Sequence, residues 1–167
     1  MTVKRLVLVR HAKAESAERD VARPLAGDGR RDARAVGEWL AQYAVPDLAL
    51  VSPALRARET WDCAADALAS PVAVTVDDRI YANTVTDLVA TVQQCAEVVT
   101  TLALVGHNPS VQALAASARR ESDVAMAALV SFPTATVVVL AVDGSWSEFD
   151  PARARVLDMR TCRASQS

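Results

Sequence analysis

The sequence predicts a three-layer α/β/α domain with a mostly parallel sheet and antiparallel strands near the C-terminus. Three observations carry that expectation. Short aliphatic runs recur, LVLV at 6–9, LALV at 48–51 and LALV at 102–105, each bounded by polar or turn residues as buried parallel strands are. Segments with apolar residues at helical spacing alternate with them, which implies βαβ crossovers. The run TATVVVLAV at 134–142 is followed by Asp143-Gly144 and WSEFD, a hairpin signal that predicts antiparallel strands.

The elements follow in order. The first strand spans roughly 3–9, and the polar segment from Ala12 to Gly29 reads as a loop bordering its end. Asp28 is placed to cap a helix in which Ala33, Val36, Leu40 and Ala44 recur. Pro46-Asp47 turns the chain into the strand at 48–51, and a helix from Ala54 to Ala69 is expected to bury Leu55, Ala64, Ala67 and Leu68. Ser70-Pro71 stops it, and VAVTV at 72–76 reads as a third strand. After a loop over 77–84, a helix from Thr86 to Glu97 would bury Leu88, Val89, Val92 and Ala96. A strand at 102–105 leads to a helix starting near Pro109. Residues 1–150 read as one domain and 151–167 as a solvated, partly ordered tail, with Arg153, Arg155, Arg160 and Arg163 against Asp158.

Composition excludes several classes. At 167 residues and 51% hydrophobic, the chain can bury a sizeable core and is not a disordered polymer. A formal charge of −2 supplies no electrostatic reason to bind nucleic acid or an anionic membrane. No apolar stretch approaches the roughly 20 residues of a membrane span. The opening MTVKRLVLVRHA has too short an apolar run for a secretory signal. Cys63, Cys95 and Cys162 are scattered and odd in number, as reduced thiols of a cytoplasmic protein are, the first two expected in the core.

The chemistry gathers at the strand ends, where open α/β sheets bind ligands. The chain has two histidines, His11 after LVLV-Arg10 and His107 after LALV-Gly106, and Arg56 follows the third such run in the first turn of a helix. A neutral imidazole can attack phosphorus, and planar guanidiniums neutralise phosphoryl oxygens two at a time. Asn108 suits an N-cap and Pro109 the first helical position, so that helix start would turn its free N–H groups toward an anion beside His107. Singly, each residue has a plainer reading: a structural histidine, a surface arginine, a solvated Asp77-Asp78 turn. The conjunction is what points to phosphate, and no set of four ligands can be named for a metal.

LVLVRHAKAE at 6–15, VSPALRARET at 51–60 and LVGHNPS at 104–110 resemble the histidine phosphatase superfamily, which includes phosphoglycerate mutases and acid phosphatases. Arg23-Pro24-Leu25 with Gly29-Arg30, and the compact length, resemble its small SixA-type branch. The resemblance implies a phosphoglycerate mutase-like fold and makes His11 the nucleophile that becomes phosphorylated. It makes Arg10, Arg56 and His107 the phosphate pocket and calls for no metal or cofactor; Asn108, at the helix start, is a further phosphate-binding candidate. Two departures stand out. Ala12 replaces the usual glycine after the histidine, which predicts a local difference in the loop. The usual acid has no clear counterpart; Glu15, Asp77 and Asp78 are the candidates. A phosphoramidate such as phosphohistidine needs less protonation of its leaving group than an alkyl ester. The expected activity is therefore that of a protein phosphohistidine phosphatase, the alternatives being a phosphatase of a small phosphorylated metabolite and a non-catalytic phosphate-binding protein.

Overall fold

A computed structural model describes residues 3–120 and 130–165. Its strands are β1 (Lys4–Arg10), β2 (Leu48–Val51), β3 (Ala73–Val76), β4 (Thr101–Gly106), β5 (Thr136–Val142) and β6 (Arg155–Thr161). They form one sheet in the order β3-β2-β4-β1-β5-β6. The first four are mutually parallel, β5 runs antiparallel to β1, and β6 antiparallel to β5.

Both faces of the central strands are covered, which is why they read as continuous aliphatic runs. Along β1, Val7 and Val9 join the core beneath α1 (Gly27–Tyr43) and α2 (Leu55–Ala65), with Leu40 and Trp61. Leu6 and Leu8 point the other way, toward α3 (Val85–Gln93) and α4 (Ser110–Ser117), with Leu88 and Leu114. Helices α1 and α2 meet at Gly37, where a Cβ would lie 2.0 Å from the Ala64 carbonyl oxygen. Only glycine allows that approach.

Register positions the site. Arg10 pairs with Gly106 and Val51 with Val105, so β1, β4 and β2 end level with one another. The next residue of each, His11, His107 and Ser52, emerges side by side at the carboxyl edge of the sheet.

Several expectations need correction. Asp28 does not cap α1. Ala26 is the N-cap, its N–H donating to the Lys13 carbonyl at 2.9 Å, while the Asp28 carboxylate pairs with Lys13 Nζ at 2.8 Å. Helix α2 stops at Ala65 rather than Ala69, because Ala67 and Leu68 donate to the third residue back and tighten the chain into turns. Its buried face is Arg56, Ala57, Thr60, Trp61 and Ala64, with Leu55, Ala67 and Leu68 only half-buried. Helix α3 begins at a Thr84–Asp87 capping box and ends at Gln93, leaving Ala96 exposed.

Asp143-Gly144 does turn the chain, Gly144 at φ +88°, but no tight hairpin forms. Trp146 and Phe149 drop into the core instead, Trp146 donating from Nε1 to the Val99 carbonyl at 2.8 Å. The partner strand of β5 is β6, drawn from the expected tail, whose last two residues lie outside the described ones. Of the cysteines, Cys162 is buried whereas Cys63 and Cys95 are half-buried. No helix among the described residues is long and apolar enough to cross a membrane.

Candidate active site

The sheet ladder continues one residue past β1 and β2. His11 N–H donates to the Gly106 carbonyl at 3.0 Å, and Ser52 N–H to the Val105 carbonyl at 3.1 Å. This seats the two imidazoles together, ring centroids 5.1 Å apart and planes inclined at 52°. Their residues are 8% and 7% exposed.

Hydrogen bonding assigns the proton on each ring. His11 Nδ1 lies 2.8 Å from the Ala12 carbonyl oxygen, which can only accept, so Nδ1 carries the proton and Nε2 keeps its lone pair. His107 Nε2 lies 2.7 Å from Ser52 Oγ, which also accepts the Ala54 N–H at 3.3 Å. That hydroxyl proton has no other acceptor among the described residues, so it goes to Nε2 and leaves His107 protonated on Nδ1. Burial, then the nearby Arg56 and Arg10 guanidiniums, push His11 down to about 4 against the opposing Ala12 bond. Burial, His11 and Arg56 push His107 down to about 3. Both rings are neutral near pH 7.

Two guanidiniums border the rings. Arg10 is anchored by Nη1 to the Phe132 carbonyl at 2.8 Å. Arg56 is anchored by Nη1 to the Asp20 carbonyl at 2.8 Å and by Nη2 to the Asp20 carboxylate at 3.1 Å. On these four residues, three buried donors are left with no hydrogen-bond partner: Arg10 Nε, Arg56 Nε and His107 Nδ1. Unpaired buried donors cost stability, and an anion that accepts from them offsets that cost. Thr60 ties the two halves together, accepting the Ala12 N–H at 3.0 Å and donating to the Arg56 carbonyl at 2.6 Å.

The structure thus brings together His11, His107, Arg10 and Arg56. It does not bring in the acid candidates. Glu15 and Asp78 are exposed, and Asp77 is bound to Arg79, with Oδ2 2.6 Å from Nη2. Nor is Asn108 a cap: the N-cap of α4 is Pro109, following a cis Asn108–Pro109 peptide. The Asn108 amide is drawn instead to the Phe132 carbonyl at 3.0 Å and to Gln112 at 3.2 Å. Ala12 does not take a left-handed backbone; among the described residues only Ala135 and Gly144 have positive φ. Its methyl is fully buried in the core beneath α1 and α2. Ala135, at φ 59°, lies against the end of β1 instead, its N–H shared between the Arg10 and His11 carbonyls at 3.2 Å.

Sequence reasoning missed five groups. Ser52 and Thr60 lie inside the quoted motif but have no chemistry of their own to flag them. The Phe132 carbonyl carries no side-chain signal. Asp20 lies in the polar loop, its carboxylate accepting from Tyr81 Oη at 2.7 Å and from Arg23 Nη1 at 3.3 Å. Tyr81 sets its ring edge-on to His107 at 5.8 Å. An Asp-x-x-Arg pair at 20–23 was the one visible sign of that cluster.

Two histidines and two arginines thus meet at the carboxyl edge of the mixed sheet of an α/β domain, a set of groups chemically suited to a tetrahedral oxyanion. Residues 6–81 match the model of the histidine phosphatase superfamily, branch 1. The chain is 33% identical over 162 residues to an uncharacterized protein of Mycobacterium tuberculosis, covering 93% of this chain and all of that one. It resembles a candidate phosphohistidine phosphatase SixA from Nakamurella multipartitia, with TM-score 0.84, 30% identity and 96% of each chain covered. A candidate SixA from Agrobacterium tumefaciens superposes with TM-score 0.78 at 31% identity, over 94% of this chain and 97% of that one. The chain belongs to the histidine phosphatase superfamily, branch 1, and has the phosphoglycerate mutase-like fold.

Proposed function

We propose that the protein is a phosphohistidine phosphatase that works through a covalent phosphoryl group on His11. The observation that carries this reading is the pairing of an unprotonated His11 Nε2, its other nitrogen tied to Ala12, with three unpartnered donors beside it. In the proposed reaction Arg10 Nε, Arg56 Nε and His107 Nδ1–H hold the phosphoryl oxygens. The His11 Nε2 lone pair forms the new P–N bond as the bond to the leaving group breaks. The ring then becomes an imidazolium, and the Ala12 carbonyl stabilises its Nδ1–H. Water attacks the phosphohistidine, releasing phosphate and restoring the neutral ring. Fixed charge and orientation supply most of the rate enhancement.

The choice of phosphohistidine over an alkyl ester rests on the leaving group. Glu15 and Asp78 are exposed and Asp77 is committed to Arg79, which supports the reading that none of them protonates an alkoxide. A leaving imidazole is far less basic than an alkoxide. The test is turnover of a phosphohistidine protein and of an aryl phosphate by wild type and His11→Asn, with and without EDTA. Loss of about 10³-fold or more in the variant, with EDTA inert, is expected. Full activity in His11→Asn overturns the assignment.

A further inference from the structure

Asp20 is the one carboxylate among the described residues that is hydrogen-bonded to any of Arg10, Arg56, His11 or His107. It lies at the rim, its side chain 54% exposed, and connects two walls of the pocket. Arg56 Nη2 and Tyr81 Oη both meet its Oδ2, while Oδ1 has a single 3.3 Å contact with Arg23 and retains accepting capacity. Arg56 links this carboxylate to the pocket. Its Nη1 and Nη2 are taken by Asp20, and its Nε is left for a phosphoryl oxygen.

Resting on the phosphohistidine reading, we propose that Asp20 determines the leaving group, accepting a hydrogen bond from the distal N–H of a phosphorylated imidazole. The Tyr81, Arg56 and Arg23 contacts hold its pKa to about 2, so near neutral pH it is ionised, accepts hydrogen bonds and cannot protonate an alkoxide. An acceptor at this position suits a substrate ring that arrives protonated. The reaction balances without an acid. His11 Nε2 bonds to phosphorus, the P–N bond of the substrate breaks, and its electron pair returns to the substrate ring, which leaves neutral because its distal nitrogen already carries a proton. The positive charge passes from the substrate imidazolium to His11. Asp20 favours the imidazolium form of the substrate and thereby the better leaving group.

The experiment compares N-phosphoimidazole with 4-nitrophenyl phosphate, whose leaving group needs no proton, in wild type, Asp20→Asn and Asp20→Glu. The kcat/KM ratio of the first substrate to the second is expected to fall at least tenfold in Asp20→Asn and to recover in part in Asp20→Glu. An unchanged ratio in Asp20→Asn, including an equal loss on both substrates, leaves Asp20 as a structural anchor of Arg56 and overturns the proposal alone. Wild type that hydrolyses 4-nitrophenyl phosphate but not N-phosphoimidazole overturns the phosphohistidine reading, and the proposal with it.

Discussion

The Thr60 hydroxyl accepts the Ala12 amide from 48 residues away in sequence, and so fastens the segment after His11 to the helix that carries Arg56. Both partners are fully buried. Thr60→Val keeps the shape and removes the acceptor, stranding a buried N–H at a cost of about 1–3 kcal/mol. Urea denaturation is expected to show that loss, with a lower kcat as His11 and Arg56 lose their common anchor. Thr60→Ser, which retains the hydroxyl, is expected to recover most of the rate. Equal rates in Thr60→Val and wild type would show that the link does not set the pocket geometry.

Ser52 performs a similar service for His107. Removing its hydroxyl leaves the buried Nε2 without a donor and frees the ring to move its proton from Nδ1. Ser52→Ala is expected to lower kcat/KM by roughly tenfold to a hundredfold, as loss of an oriented donor to a transferring group does. Nitrogen NMR of His107 reads the tautomer directly. Wild type should show Nδ1–H, and the variant a mixture; Nε2–H in wild type contradicts the assignment.

Stability should depend on pH through the same two rings. In the folded protein His11 and His107 titrate at about 4 and about 3, against 6.5 for the free side chain. The unfolded chain therefore binds more protons below pH 6.5, so this stability is fully present above that value and is lost as pH falls toward the folded pKa values. The chain has no other histidine, so these rings dominate the change between pH 6.5 and about 5. Tm is expected to fall across that interval in wild type and less steeply in His107→Gln. A flat wild-type profile would mean that burial does not suppress the charged rings.

The strand ends were the legible part of the site. Buried parallel strands announce themselves as aliphatic runs, and the residues immediately after them, His11 and His107, needed no knowledge of the loops. Arg56 was legible because it begins a helix after the third such run. Asp20 was not, because it lies in a polar loop without periodicity, and its meaning depends on Tyr81, 61 residues away. Asn108 misled because a good N-cap residue has several uses, and the Phe132 carbonyl competes for its amide. Strand β6 was hidden for a different reason. At the sheet edge Leu157, Asp158 and Arg160 face solvent, so RVLDMRT lacks the hydrophobic signature of a central strand.

The most direct test of the account is the position of the phosphoryl group on the enzyme. Wild type is mixed with substrate, quenched in alkali, which preserves phosphohistidine, and then digested and mapped by mass spectrometry. Phosphorus NMR of the intact phosphoenzyme distinguishes the two ring nitrogens. One phosphoryl group is expected on Nε2 of His11, absent from His11→Asn, because Nδ1 is committed to the Ala12 carbonyl. Phosphate on His107, on Nδ1 of His11, or on no residue while turnover proceeds would contradict it.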